Sequence, residues 1–281
     1  MLTTWSASWR GEPRAFLRSS GTVLAYFVGF GLGGLVFFAV FNHVLKPLVP
    51  DASPWLKEWI NLLSTGWMFG VALAAFLLAR AKLSAPERRV SIWQATSGRP
   101  AWAWGLVSAA AWLIITMTAT LVTDGPSEMG ARAAAYGLME WTVLLVTALA
   151  CIGVQAASEE IVFRGYLMPR LAVRVGAVAA LLISTVLFTA LHTSPGLWGG
   201  LGVAMLGLCM GVSAWRTGSL LPAIGLHVVN NVFYFLYEPN GTNADVTWID
   251  FALLVVGLLV WLGWVEMSHR QRSALASSLS N

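Results

Sequence analysis

The chain has 281 residues, of which 57% are hydrophobic and only 11% are charged. A soluble domain carries about 25% charged residues because water must wet its surface, so this composition excludes a soluble protein. The net charge of +4 is not gathered into a basic stripe with interleaved aromatic residues, which excludes nucleic acid as a partner and indicates a lipid bilayer instead.

Apolar segments long enough to cross a bilayer recur along the chain. A hydrocarbon core of ~30 Å requires roughly 20 apolar residues per helix. The segments that meet this requirement are, in chain order, Gly21–Leu45, Trp59–Ala79, Ala101–Val122, Leu138–Ala157 and beyond, Val175–Leu191, Leu197–Trp215, Leu220–Leu236 and Trp248–Val265. The predicted fold class is all-α: a polytopic membrane bundle of about eight transmembrane helices, forming one integral membrane domain, 1–281.

The distribution of basic residues predicts the orientation of these helices. Lysine and arginine accumulate in the cytoplasmic loops of membrane proteins. With the N-terminus in the cytoplasm, 14 of the 17 basic residues fall in cytoplasmic segments, and only Lys46, Lys57 and Arg132 fall outside. We therefore predict an integral protein of a bacterial cytoplasmic membrane, with both the N- and C-terminus cytoplasmic.

Ionisable residues inside the apolar segments are the strongest functional signal. Such a residue costs ~2.5–3.5 kcal/mol at the centre of a membrane helix on insertion scales, so it usually has a function. In the fourth segment, Glu160 and Arg164 are four residues apart, share a helix face and can pair. Glu159 lies about 100° away around the helix, which leaves this carboxylate available for chemistry. A Glu–Arg pair alone can equally serve only to fix the orientation of a helix.

Two histidines and two asparagines follow in later segments. His192 ends the fifth segment, whereas His227 and Asn231 are four residues apart in the seventh and face the same way. Asn230 points elsewhere and is expected to pack or to hydrogen-bond between helices. If the chain reverses near Arg174–Gly176, Glu159 and His192 lie ~24 Å from the turn along each arm, and therefore at one depth. Each residue alone has an ordinary structural reading, but together they are the components of a hydrolytic site inside the bundle.

Three motifs in this region resemble those of the CPBP family of intramembrane proteases, which includes the CAAX prenyl endopeptidases and bacteriocin-processing and self-immunity proteins. The family pattern is EExxxR, then FxxxH, then HxxxN or HxxxB. In this chain the motif residues are Glu159, Glu160 and Arg164; Phe188 and His192; and His227 and Asn231. The resemblance predicts a catalytic core at 138–236 and leaves 1–137 as accessory transmembrane helices.

The resemblance also implies a role for each motif residue. Glu159 is the general base that activates water, and it works with His192. His227 and Asn231 stabilise the oxyanion of the tetrahedral intermediate. The two remaining residues hold the site in shape: Glu160 and Arg164. The expected substrate is a membrane-tethered protein or peptide.

Metal use stays open at this stage. Glu159, His192 and His227 form a His₂Glu set, which is also the composition of catalytic zinc sites. The sequence has no HExxH motif, and the family has been described both as metalloproteases and as glutamic-type proteases. We prefer a glutamic protease without a cofactor, because the Asn231 amide is a good oxyanion donor and a poor zinc ligand. Zinc bound by the His₂Glu set is the alternative.

Two other functions remain compatible with the sequence. A proton-coupled transporter also places Glu, His and Arg inside the membrane, but the chain shows no internal repeat and its polar groups cluster in one half. A non-catalytic immunity or scaffold protein would retain the same motifs as a relict. The sequence indicates neither the identity of the substrate, prenylated or not, nor the oligomeric state.

Overall fold

The computed structural model describes residues 13–48, 53–83, 101–123, 134, 136–192, 196–237 and 247–279. Within these ranges the chain is built of helices that lie on the predicted apolar segments, and two of the helices share the fourth segment. The helices are α1 (Pro13–Val40), α2 (Pro54–Ala81), α3 (Ala101–Thr123), α4 (Leu138–Glu160), α5 (Met168–Val175), α6 (Ala177–Ala190), α7 (Gly196–Thr217), α8 (Leu221–Tyr237) and α9 (Trp248–Leu279). A π-helical turn, Phe41–Leu45, and a short α-helical turn, Lys46–Leu48, extend α1, and a second π-helical turn, Ile161–Leu167, joins α4 to α5 without a break.

Five of the described helical segments are long and apolar enough to cross a membrane: Ser20–Val44, Pro54–Ala81, Leu138–Val175, Gly196–Thr217 and Trp248–Gln271. Three shorter apolar helices accompany them: Gly105–Leu121, Ala177–Ala190 and Leu221–Leu236. These eight described segments confirm the predicted all-α membrane bundle. Both chain termini lie outside the described residues, so the predicted cytoplasmic orientation stays a prediction.

Large apolar side chains cover the outer surface of the helices. On α1, Leu24, Val28, Leu32 and Leu35 recur at helical spacing, and each is more than half exposed. An apolar stripe of this size is unfavourable in water but stable against acyl chains. The exposed face of α1 is therefore a lipid-facing surface.

The chain divides into two compact units. The first consists of Met1–Val90 and Arg132–Val162, and the second of Ser91–Ala131 and Phe163–Asn281. The division falls within the predicted core 138–236, between two consecutive residues of the π-helical turn Ile161–Leu167.

In the first unit, small residues bring helices α1 and α2 together. A Cβ on Gly29 would lie 2.7 Å from Ala75 Cβ, so only glycine permits the observed approach of the two backbones. Trp67 Nε1 donates to the Gly33 carbonyl at 3.1 Å across the same contact. Close approach compensates for the weak hydrophobic drive between helices in lipid, because it increases dispersion contacts and permits interhelical hydrogen bonds.

In the second unit, α3 packs against both α8 and α9. A Cβ on Gly225 would collide with the Gly105 backbone, so these two glycines set the approach of α3 to α8. Ser108 Oγ donates to the Pro222 carbonyl at 2.7 Å and accepts from Trp261 Nε1 at 3.0 Å. The Pro222 carbonyl, close to the start of α8, thereby gains a partner inside the bundle.

A tight turn at Gly176 reverses the chain between α5 and α6. Gly176 has φ +84°, a conformation that glycine adopts readily and other residues rarely do, and its N–H caps the Ala172 carbonyl. The predicted reversal near Arg174–Gly176 is confirmed. The antiparallel arms then place Phe163 and Ser184 in contact, 21 residues apart in sequence.

Candidate active site

The two glutamates of the first motif are followed immediately by the π-helical turn. α4 ends at Glu160, and the wider turn runs over Ile161–Leu167, which includes Arg164. A π-helical turn adds a residue relative to an α-helix, so it changes the direction of the side chains that follow, and such turns are frequent at functional sites. Here it lies in the middle of a helical segment, 138–175, that is otherwise continuous.

Side chains stabilise this turn by bonding to its carbonyl groups. Ser184 Oγ donates to the Phe163 carbonyl at 3.3 Å, and Arg170 Nη1 donates to the Tyr166 carbonyl at 3.3 Å. The Arg170 guanidinium also lies 3.4 Å from the centroid of the Tyr166 ring. Such bonds matter because a backbone carbonyl at membrane depth finds little water and depends on protein donors.

Arg164 projects from the π-helical turn into the interior of the second unit, where it is 1% exposed. Its Nη2 donates to the Gly207 carbonyl of α7 at 3.0 Å. Its guanidinium carbon lies 4.1 Å from the centroid of the Phe188 ring, within the range of a cation–π contact. Arg164 thus ties three helical elements of this unit together, and its predicted role in shaping the site with Glu160 stays a prediction.

Gly207 is the residue that makes room for this arrangement. A Cβ at position 207 would lie 3.1 Å from both Arg164 Nη2 and Phe188 Cδ1. Either neighbour would have to move by a few tenths of an ångström to accept it. Gly207 is therefore more than a helix-packing residue of α7, because the absence of a side chain there leaves room for the buried guanidinium.

Phe188 is the centre of the aromatic cluster that positions both motif histidines. Its ring centroid lies 4.2 Å from that of His192 and 5.7 Å from that of His227, the latter edge-to-face. Phe163 meets it edge-on at 5.7 Å, and Phe188 itself is 1% exposed. One face of the phenyl ring is taken by Arg164. The Phe of the FxxxH motif therefore fixes the imidazoles by ring packing.

The tautomer of His192 follows from its hydrogen bond to the backbone. His192 Nδ1 lies 2.7 Å from the Phe188 carbonyl oxygen, which can only accept a hydrogen bond. Nδ1 must therefore carry the proton, and in the neutral ring Nε2 is the basic nitrogen. A backbone carbonyl bound to Nδ1 in this way orients imidazoles that act as bases, and also those that bind metals.

The structure brings His192 and His227 together. One ring nitrogen of each lies within 4.8 Å of the other, and His227 is 1% exposed while His192 is partly buried. Two imidazoles this close offer two nitrogen ligands of the kind that zinc prefers. The same pair equally forms a hydrogen-bonding surface for a substrate.

The two asparagines of α8 have different environments. Asn230 is 8% exposed and accepts a hydrogen bond from Trp112 Nε1 of α3 at 3.3 Å, which confirms its predicted role between helices. Its Nδ2 donates to Asn231 Oδ1 at 3.2 Å. Asn231 is more exposed than Asn230 and lies one helical turn after His227.

Glu159 and Glu160 end α4 in the first unit, and both side chains are buried, at 5% and 0% exposure. Glu159 Oε1 accepts a hydrogen bond from Gln155 Nε2, one turn earlier, at 3.4 Å. Ser158 Oγ donates to the Gln155 carbonyl at 2.8 Å and pairs with Tyr26 Oη at 2.9 Å. The end of α4 is thereby anchored to α1. The predicted pairing of Glu160 with Arg164 stays a prediction.

Sequence reasoning therefore located the motif residues but missed part of their support. The roles of Phe188, Ser184 and Gly207 were not predicted, because an apolar helix normally contains phenylalanine, serine and glycine for packing alone. Only the FxxxH spacing indicated in the sequence that Phe188 could support His192. It puts Phe188 one turn before His192, where ring contact and the backbone hydrogen bond both become possible.

Residues 140–233 match the family model described as Rce1-like, type II CAAX prenyl endopeptidase Rce1-like. The matched segment is about a third of the chain and contains all three motifs. A search of curated proteins finds no match. The family resemblance predicted from the motifs is confirmed by the first comparison, and it indicates a membrane-embedded endopeptidase that acts on membrane-associated proteins.

Proposed function

We propose that this chain, whose residues 140–233 match the Rce1-like family model, hydrolyses a peptide bond of a membrane-associated protein with water activated by Glu159. The observation that carries the proposal is the histidine pair arranged around Phe188, with the His192 Nε2 made basic by the backbone bond at Nδ1.

Glu159 supplies the general base. It ends α4, is almost fully buried and is held by the Gln155 amide. A carboxylate held in place in this way can accept a proton from water, which is the task of a general base. Water gives one proton to the Glu159 carboxylate and attacks the carbonyl carbon of the substrate as hydroxide. His192 Nε2 accepts a hydrogen bond from the same water and orients it.

His227 and Asn231 stabilise the oxyanion that forms on the carbonyl oxygen. Both are expected to donate hydrogen bonds, and both lie on one face of α8 because they are four residues apart. One such donor typically contributes a factor of about 10²–10³ to turnover. The tetrahedral intermediate then breaks its C–N bond, and the proton held by Glu159 passes to the leaving amine nitrogen. Atoms and charge balance without a further reactant.

Zinc is the alternative for the same three side chains. The Nε2 of His192, with Nδ1 already bound to a carbonyl, is suited to coordinate a metal, and His227 lies within reach of it. Glu159 would complete the His₂Glu set. Zinc would supply Lewis-acid activation of the bound water. We favour the metal-free mechanism because Asn231 has a role in it and has none as a zinc ligand.

The substrate is proposed to be tethered to the membrane. The described helices are apolar over their outer surfaces, so a substrate that shares the bilayer is brought to the site by diffusion in two dimensions. A prenylated C-terminal peptide, a peptide precursor or a membrane-anchored protein would each meet this requirement. The motif residues then bind and hydrolyse the scissile peptide bond of that substrate.

The proposal can be tested by reconstituting the purified chain in liposomes with a membrane-anchored peptide substrate. We expect cleavage by the wild-type protein and its loss in His192→Gln. The matched control is His43→Gln, an exposed histidine of the π-helical turn after α1. Substrate transport without any cleavage would contradict the proposal and favour a transporter. Full complementation by His192→Gln in cells would favour a scaffold.

A further inference from the structure

The side chains of Trp112, Asn230 and Asn231 form a chain of hydrogen bonds that ends at a residue of the proposed oxyanion site. Trp112 Nε1 lies 3.3 Å from Asn230 Oδ1, and Asn230 Nδ2 lies 3.2 Å from Asn231 Oδ1. Trp112 is 1% exposed and Asn230 is 8% exposed, so water does not compete for the bond between them, and the second bond is partly buried. All three residues belong to the second unit.

The direction of this chain is fixed at its first member. An indole nitrogen can donate a hydrogen bond but cannot accept one. Trp112 therefore selects the oxygen of the Asn230 amide, which leaves the Asn230 NH₂ group to face Asn231. That NH₂ group in turn selects the oxygen of the Asn231 amide. An asparagine amide alone can take either of two orientations, related by exchange of its oxygen and nitrogen. The Trp112 indole N–H therefore sets the orientation of both amides.

We propose that Trp112 and Asn230 are positioning residues that present the Nδ2 group of Asn231, rather than its oxygen, to the reacting carbonyl. This inference rests on the proposed function, because it gives the Asn231 amide a direction only if Asn231 donates to the oxyanion. An Asn231 amide turned the other way would place a partial negative charge beside the developing negative charge of the oxyanion. An oxyanion donor contributes only when it is preorganised before the reaction.

Two substitutions test the direction of the relay separately. Asn230→Asp keeps the acceptor for Trp112 but removes the donor, so the carboxylate draws the Asn231 NH₂ group toward itself. We expect turnover to fall about 10²–10³-fold, as in Asn231→Ala, because the donor is lost in both cases. Trp112→Phe removes only the first donor, whose net contribution corresponds to about a 2–10-fold change, and turnover should fall by that factor with KM unchanged.

The matched control for the indole is Trp261→Phe. Trp261 is also buried, and its Nε1 donates to Ser108 Oγ at 3.0 Å, within the same unit but outside the relay. This variant measures how much turnover and thermal stability are lost when a buried indole is replaced by a smaller ring. Thermal unfolding of all variants in detergent shows whether each protein is folded before its turnover is compared.

A double-mutant cycle separates positioning from a general structural effect. If Trp112 acts through Asn231, Trp112→Phe should change turnover less than 2-fold in an Asn231→Ala background, because the oriented amide is already absent. An undiminished loss in that background would overturn the relay, as would an equal loss in Trp261→Phe. Should Asn231→Ala lower turnover while Asn230→Asp and Trp112→Phe do not, the relay fails and the proposed function stands. Should Asn231→Ala have no effect, the proposed oxyanion role fails, and the relay fails with it.

Discussion

Removal of the buried Arg164 guanidinium is expected to destabilise the protein far more than removal of an exposed arginine. Arg164→Ala loses the hydrogen bond to the Gly207 carbonyl, for which a charged donor contributes about 1.5–3 kcal/mol. It also loses the contact with the Phe188 ring, which contributes about 2 kcal/mol when desolvated. The expected loss is therefore ~3.5–5 kcal/mol. At roughly 2–4 °C per kcal/mol for a chain of this size, the unfolding midpoint should fall by about 7–20 °C.

This change can be measured by heating the detergent-solubilised protein with a thiol-reactive dye. Cys209 is 3% exposed, so it reacts only when the surrounding helices separate. The control is Arg216→Ala, whose side chain is 52% exposed and bonds to Glu266 at 2.8 Å through Nε. Exposed ion pairs contribute only about 0.2–1 kcal/mol, so its midpoint should move little.

Arg164→Lys provides a second comparison. A lysine keeps the charge but lacks the planar group that stacks on a ring while donating sideways, so an intermediate midpoint is expected. Equal midpoints for Arg164→Ala and Arg216→Ala would refute the assignment of Arg164 as the residue that ties these helices together.

Three further predictions concern the site, the cofactor and the topology. Gly207→Ala should lower turnover because the new Cβ displaces Arg164 and Phe188. Gly200→Ala in the same helix, where a Cβ meets nothing within 4 Å, should not. Equal activities of the two variants would contradict the role of Gly207 in making room for Arg164. Activity should survive dialysis against a strong chelator, and metal analysis should find well below one zinc per chain; loss on chelation with recovery by zinc alone would support the zinc alternative. Reporter fusions after Arg99 and Asn281 should report the cytoplasm and one after Glu128 the outside, and an external C-terminus would contradict the predicted topology.

Much of the fold was predictable because a bilayer leaves few choices. Each spanning segment must satisfy its own backbone groups, so apolar runs of sufficient length become helices. The reversal between α5 and α6 was also predictable, since Gly176 permits a positive φ that other residues adopt rarely. The predicted end of the fourth segment near Ala157 was less accurate. The π-helical turn Ile161–Leu167 continues this segment to Val175 without any break in hydropathy.

The support of the site was not predictable in the same way. Apolar spacing cannot distinguish a phenylalanine that packs on lipid from Phe188, which contacts a guanidinium and two imidazoles. A π-helical turn has no residue signature of its own, and its stability depends on distant donors such as Ser184. The relay from Trp112 likewise joins residues 118 positions apart, which only the packing of α3 on α8 brings together.

The most direct measurement of the central claim is the cleavage rate of Glu159→Gln in liposomes, at a matched amount of folded protein. The amide preserves the size of the side chain but cannot accept the proton from water, so we predict a folded protein without measurable turnover. The matched control is Glu140→Gln, at the start of the same helix, where the carboxylate accepts a hydrogen bond from the Gly137 N–H at 2.6 Å. It should cleave at the wild-type rate. Wild-type cleavage by Glu159→Gln would contradict the account.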